Sequence, residues 1–101
     1  MSDDASPPRK RKVDIQIRVD DDVACGVYAN MAMVNHTDSE FTIDFIYLQP
    51  QAPLAKVRSR VITSPGHVRR LIEALQGALR KYEASHGVVR AGPEPPKGEF
   101  H

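Results

Sequence analysis

The residues best suited to metal binding lie closest together between His36 and Asp44. His36, Asp38 and Glu40 occupy alternate positions of one short segment, and Asp44 follows four residues later. Structural zinc sites, however, usually draw on cysteines or several histidines, and the other three histidines are dispersed along the chain. Because the segment is also rich in turn-forming residues, we interpret it as a polar turn in which no metal is bound.

The other candidate for chemistry is Cys25, the only cysteine of the chain. A thiolate nucleophile would need a nearby base such as His36 or His67, but no signature typical of cysteine enzymes surrounds Cys25. Between Ala24 and Gly26, the thiol has the setting of a small packed hydrophobe. A lone cysteine forms no internal disulfide, which is typical of a reducing cytosol. We therefore predict a cytoplasmic protein that is not an enzyme and that uses no cofactor.

Two groups of cations are candidates for binding a partner by charge. One is a basic arm, residues 1–12, which contains Arg9, Lys10, Arg11 and Lys12. The other is a candidate basic patch on one predicted strand, made of Lys56, Arg58 and Arg60, which Asp44 on the preceding strand could face. The net charge is only +1, so no global field attracts nucleic acid or membranes. The arm is either a solubilising tail or a contact for nucleic-acid phosphates or for an acidic protein surface.

The distribution of apolar residues divides the chain into three parts. The chain of 101 residues is long enough for one domain. We predict a disordered basic arm at residues 1–12, an α+β domain at residues 13–87 and a disordered Pro/Gly-rich tail at residues 88–101. No segment has the apolar run of a membrane span or a signal peptide.

Four segments of the predicted domain carry strand patterns. In the first, apolar residues alternate strictly with polar ones, and in the second and third both faces carry apolar groups. The fourth places two valines inward and its cations outward. The four segments are residues 13–19, 24–34, 41–48 and 56–62. Their order predicts a four-stranded antiparallel meander.

A long amphipathic helix follows the fourth strand pattern. Ser64 is a good N-cap, Pro65 suits the first helical position and Gly87 suits a left-handed C-cap. Apolar residues recur between these ends at steps of three and four: Val68, Leu71, Ile72, Leu75, Ala78, Leu79 and Tyr82. We expect this C-terminal helix to pack on one face of the sheet.

The second sheet face is then the expected interaction surface. One helix covers only one face, and large exposed apolar patches are rare on monomers, so we predict a homodimer or a higher oligomer. The candidate partner-binding residues on this face are Tyr28, Asn30, Ala32 and Val34. For Asn30 a second interpretation stands beside the first, because a buried amide can also fix the strand register through hydrogen bonds.

Several short motifs stand in an order that resembles a known family. They are Tyr28-Ala29-Asn30, Asn35-His36-Thr37, Glu40-Phe41, Asp44-Phe45, Ser59-Arg60-Val61, Ser64-Pro65, Arg70-Leu71 and Lys81-Tyr82-Glu83. The chain thus resembles the short bacterial and archaeal proteins of domain-of-unknown-function family 3467, over nearly the whole core and with both tails outside the match. The resemblance implies a prokaryotic origin and carries no activity.

Three function classes follow from these observations. The leading hypothesis is a non-enzymatic, oligomeric adaptor or regulatory subunit of a bacterial protein complex. A signalling or cell-polarity GTPase system is one partner class, because such systems use small regulators, but no residue selects it. The first alternative is a nucleic-acid-associated protein that uses the basic arm. The second is a holdase chaperone, because a four-stranded sheet followed by a long helix resembles the topology of the export chaperone SecB.

Overall fold

A computed structural model of the chain describes residues 14–51 and 54–94. Its elements in chain order are a short helix α1 (Asp21–Ala24), strands β1 (Met31–His36), β2 (Phe41–Leu48) and β3 (Ala55–Thr63), and a long helix α2 (Pro65–His86). The predicted α+β class, with an antiparallel sheet and a C-terminal helix, is confirmed. The basic arm and residues 95–101 of the predicted tail lie outside the described residues.

The described residues form a sheet of three strands rather than the predicted four. The strand order is β1-β2-β3, with both neighbouring pairs antiparallel and β2 in the centre. The first predicted strand is wrong for residues 14–19, which have no regular secondary structure and expose their apolar side chains. A period of two makes a segment suitable for a strand, but the strand forms only where an edge supplies its hydrogen bonds.

The second predicted strand is shorter than expected and begins later. The chain first makes the single turn of α1, in which Asp21 and Asp22 favour the positive end of a helix. Gly26 then adopts a positive φ of 70°, which interrupts any extended run. Cys25 therefore lies exposed at the end of α1 rather than packed in a strand. Extended pairing starts at Met31.

Helix α2 begins and ends where its sequence indicates. The Ser64 hydroxyl oxygen accepts a hydrogen bond of 3.1 Å from the His67 backbone N–H, and Pro65 occupies the first helical position. At the other end Gly87 has a φ of 87°, and its N–H donates to the Glu83 carbonyl oxygen at 2.8 Å. The predicted N-cap is confirmed, and Gly87 does end the helix with a positive φ, but its ψ of 172° lies outside the left-handed helical region that was predicted.

The predicted packing of α2 on a sheet face is wrong. The helix has no buried residue, and its apolar residues Ile72, Leu75, Leu79 and Tyr82 remain about half exposed. Ser64 alone connects β3 to α2, whereas a helix that folds back on its strand usually follows a connection of about 2–6 residues. Among the described residues, only Ile43, Asp44 and Ile46 of β2 are buried. The chain by itself therefore builds a very small core.

Candidate interaction surface

The strand register sorts the sheet side chains onto two faces. Side chains alternate along a strand, and directly opposed residues share a face. Val34 lies opposite Ile43, which lies opposite Val61. This face, which we call the apolar face, carries Ala32, Val34, Phe41, Ile43, Phe45, Tyr47 and Val61. The other, which we call the ion-pair face, carries Met31, Met33, Thr42, Asp44, Ile46, Leu48, Val57, Arg60 and Ile62.

Asp44 and Arg60 form the central polar contact of the ion-pair face. Arg60 Nε donates to Asp44 Oδ1 at 2.7 Å, and Arg60 Nη2 donates to Asp44 Oδ2 at 3.0 Å. The carboxylate is covered, while the Arg60 side chain keeps 56% of its surface exposed. The hydrogen bonds and charge of Arg60 lower the pKa of Asp44 below its ordinary value, against the opposing effect of burial. The expectation that Asp44 faces the cations of the next strand is confirmed for Arg60.

A β-bulge in β3 divides the candidate basic patch. Phe45 lies opposite Ser59 and Ile46 lies opposite Val57, so Arg58 is the extra residue of β3. As a consequence Lys56 opposes Tyr47 whereas Arg60 opposes Asp44. Because Tyr47 and Asp44 are three residues apart, the two cations point to opposite faces. The shared face for Lys56, Arg58 and Arg60, which strict alternation predicts, is therefore wrong.

Tyr28 extends the apolar face beyond the end of β1. Its ring meets that of Tyr47 edge-on, with a distance of 6.0 Å between ring centroids. Arg58 joins the two tyrosines around an open depression. Tyr28, Ala32 and Val34, three of the predicted partner-binding residues, are thus exposed on or beside one apolar face. The sequence analysis named Arg58 only as part of the basic patch and did not predict that Tyr47 and Arg58 lie beside Tyr28, because this proximity depends on the register and on the bulge.

The side chain of Asn30 is engaged within the chain. Its Nδ2 donates to the Leu48 carbonyl oxygen at 3.0 Å, and its Oδ1 accepts from the Leu48 backbone N–H at 2.8 Å. The backbone of Asn30 also takes part, because its N–H donates to the Ile46 carbonyl oxygen. Asn30 thus continues the antiparallel pairing one step beyond β1. These contacts favour the interpretation that Asn30 fixes the register.

The acidic segment between β1 and β2 is a turn held by Thr37. The Thr37 hydroxyl oxygen accepts hydrogen bonds from the backbone N–H groups of Ser39 and Glu40, at 3.3 and 3.2 Å. The His36 ring leans on Phe41, with 5.4 Å between the ring centroids. Across the part of the chain that the structure describes, no three histidine, cysteine or acidic side chains are grouped closely enough to hold a metal ion.

Helix α2 presents a second apolar surface. We call it the helix stripe, and it consists of Val68, Leu71, Ile72, Leu75, Leu79 and Tyr82. Leu75, at its centre, keeps 61% of its surface exposed. Near the end of the stripe Tyr82 stacks on His86, with ring centroids 4.4 Å apart. Neither helix within residues 14–51 and 54–94 is long and apolar enough to cross a membrane.

Comparison with known proteins gives one match. The sequence profile of a family described as "Protein of unknown function (DUF3467)" matches residues 1–91. The match therefore includes the basic arm, which the resemblance drawn from short motifs placed outside it. No curated protein and no solved structure matches the chain significantly.

Proposed function

The chain belongs to the DUF3467 family, and on that premise we propose that it is a non-enzymatic, oligomeric protein-interaction module. It acts as an adaptor or regulatory subunit. In this proposal the helix stripe holds copies of the chain together, and the apolar face, with Tyr28 at its end, receives a protein partner. The family description names no activity, so the proposal depends on the exposed surfaces alone.

The observation that carries the proposal is the exposure of the helix stripe. An isolated helix is marginally stable in water, and most helices in proteins gain their stability by packing an apolar face. Helix α2 has 22 residues and a continuous apolar stripe, yet it has no buried residue. A well-capped helix with an unused stripe is typical of a subunit whose packing partner lies on another chain.

The composition of the two surfaces also fits protein contacts. Interface centres are depleted in charged residues and enriched in aromatic residues and methionine. Among the paired strand positions of the apolar face only Lys56 carries a lysine, arginine or acidic side chain. The same face carries three aromatic side chains, Phe41, Phe45 and Tyr47. Lys56 and Arg58 lie at the Tyr47 end of the apolar face. The arrangement suits a partner with an apolar centre and an acidic rim.

The first experiment compares the wild type with Leu75→Glu and Gln76→Glu. Both variants add one negative charge to α2, but only Leu75 belongs to the stripe, while Gln76 lies about 100° further around the helix. Sedimentation over a range of concentrations should show an oligomer for the wild type and for Gln76→Glu. Leu75→Glu should sediment as a monomer. The milder Leu75→Ala should weaken association about tenfold or more, because a buried leucine contributes about 1.5–3 kcal/mol.

The wild type and two variants of the apolar face, Tyr28→Ala and Phe45→Glu, are then used as bait in nuclease-treated lysate of the source cells. One or two stoichiometric proteins that bind the wild type, but not Tyr28→Ala or Phe45→Glu, would support the adaptor role. Many unrelated clients would instead favour the holdase chaperone. Binding that is seen in untreated lysate, is lost after nuclease treatment and falls steeply with salt concentration would favour the nucleic-acid alternative. A folded wild-type monomer at every concentration would contradict the proposed assembly.

A further inference from the structure

The strand pattern at residues 14–19 pairs with no strand among the described residues. We propose that this segment of one copy pairs with the open edge of β1 in a second copy, as an added strand of its sheet. The inference deepens the proposed function and rests on it, because pairing between copies requires an oligomer. We call residues 14–19 the N-terminal segment; its apolar members are Ile15, Ile17 and Val19.

The N-terminal segment has the residue pattern of a strand, but its apolar side chains are exposed to solvent. Its apolar residues alternate strictly with Asp14, Gln16 and Arg18. Ile17 keeps 88% of its surface exposed, which is costly for an isoleucine because burial of such a side chain contributes about 1.5–3 kcal/mol. The single chain leaves this segment off its own sheet although the outer edge of β1 is open. The same open edge on a second copy is therefore an available partner for the segment.

The two edge strands of the sheet, β1 and β3, differ in the features that prevent a further strand from pairing with them. Strand β3 carries a bulge at Arg58 and three cations, and bulges and charges are the features that protect edge strands from added strands. Strand β1 has the sequence MAMVNH, without proline, acidic residues, lysine or arginine, and its register with β2 runs without interruption. The edge of β1 is thus the one suited to strand addition, which proceeds through backbone hydrogen bonds.

The length and alternation of the N-terminal segment match the β1 edge. The segment and β1 each have six residues, so their centres meet when the two are aligned. With the segment parallel to β1 and Ile17 beside Val34, the apolar members extend the apolar face by one strand. The polar residue Gln16 then lies beside Met33 on the ion-pair face, where Asp44 and Arg60 already provide polar groups. An antiparallel segment aligned on the same centres would instead place Asp14, Gln16 and Arg18 in the apolar face.

The area available fits a stable dimer. The three apolar side chains of the segment are about three quarters exposed, and four members of the helix stripe are about half exposed. At roughly 200 Å² for a large apolar residue, these seven side chains offer about 850 Å². Stable interfaces bury about 800 Å² on each partner. The N-terminal segment and the helix stripe together therefore supply the area that neither supplies alone.

Disulfide trapping between two different chains tests the pairing. All chains carry Cys25→Ser, and one chain with Ile17→Cys is mixed with a tagged chain with Val34→Cys. Opposed strand residues lie within the Cα separation that a disulfide spans, so a mixed disulfide should form rapidly. Gln16→Cys with Met33→Cys should link likewise, because both lie on the other face. The crossed pairs, Ile17→Cys with Met33→Cys and Gln16→Cys with Val34→Cys, are the matched controls and should link several-fold more slowly.

Other results would overturn the inference in distinguishable ways. An oligomer in which neither matched pair links faster than the crossed pairs would refute the proposed parallel pairing while leaving the oligomeric module intact. A chain carrying both Ile17→Cys and Val34→Cys that closes an internal disulfide at monomer mass would show that the segment pairs with its own β1. A wild type that stays monomeric would remove the proposed function and the inference together.

Hydrogen exchange on the unmodified chain gives an independent measurement. Amides of a paired strand exchange slowly, so residues 14–19 should be protected at high protein concentration. Dilution below the dissociation constant should release this protection, while β2, paired on both sides within one chain, should retain more of its own. Fast exchange of residues 14–19 in the oligomer would contradict the inference.

Discussion

Asp44 and Arg60 lie directly opposite each other on the two neighbouring strands β2 and β3, and they share two hydrogen bonds of 2.7 and 3.0 Å. This bidentate ion pair matches the planar guanidinium to the carboxylate. It is stronger than a single hydrogen bond between neutral groups. Asp44 lies on the central strand of the sheet, and Arg60 lies over its carboxylate. The pair therefore joins β2 to β3 through side chains as well as through the backbone. It also places polar groups at the centre of the ion-pair face.

The Asp44–Arg60 pair makes stability depend on acid pH. Because the pKa of Asp44 is lowered from 3.8 in the folded chain, the ionised carboxylate contributes stability above about pH 4. This contribution declines as the pH falls below that value toward the lowered pKa. We expect Asp44→Asn to be less stable than the wild type at about pH 6, and the difference to shrink toward about pH 3.

Urea unfolding at a series of pH values and fixed protein concentration measures this effect. Asp38→Asn, in the exposed turn between β1 and β2, is the matched control, because it removes the same charge without touching Arg60. A constant difference between Asp44→Asn and the wild type down to about pH 3 would contradict the assigned role of the ionised carboxylate.

Asn30 should contribute to stability through the backbone of Leu48. Asn30→Ala leaves both the N–H and the carbonyl oxygen of Leu48 without their side-chain partner. Each lost hydrogen bond costs about 0.5–1.5 kcal/mol, so for the two bonds we expect a loss of about 1–3 kcal/mol, measured by thermal unfolding. Asn35→Ala changes an exposed amide on the same strand and should cost less. Equal losses for the two variants would remove the special role of Asn30.

Ser64 should stabilise the start of α2. Ser64→Ala removes the hydroxyl oxygen that accepts from the His67 N–H, and loss of such an N-cap costs about 1 kcal/mol. Ser85→Ala, near the other end of the same helix, should be neutral or slightly stabilising, because alanine is the better helix former. Denaturant unfolding of both variants at equal concentration measures the opposite signs. Destabilisation of the same size at both positions would contradict the cap.

Replacing Gly87 should destabilise the C-terminal end of α2. Its φ of 87° and ψ of 172° lie where other residues are strained, so Gly87→Ala should cost about 1–3 kcal/mol. Gly77→Ala is the contrasting variant, because an added Cβ at position 77 meets nothing within 4 Å in the chain. That change should stabilise α2 by about 1 kcal/mol. Circular dichroism during thermal unfolding distinguishes the two, and stabilisation by Gly87→Ala would be the contrary result.

The sequence alone determined the features that depend on neighbouring residues. Ser64, Pro65 and Gly87 set the ends of α2, because capping and positive φ are properties of the local backbone. The bounds of β2 and β3 followed from short runs of apolar residues between turn formers, within one residue at each end. The choice of Asp44 as a partner for a cation on the next strand also followed, because the order of adjacent strands was predictable.

Only the tertiary structure decided the features that depend on which groups meet. The bulge at Arg58 has no signal in the sequence, yet it moves Lys56 and Arg60 to opposite faces. The alternation at residues 14–19 is typical of a strand, but these residues do not pair with the open edge of β1 in their own chain. Likewise, the stripe of α2 specifies an amphipathic helix, whereas the one-residue connection at Ser64 keeps it from packing back on the sheet. Periodicity determines which face of an element is apolar, and only the arrangement of chains decides what covers that face.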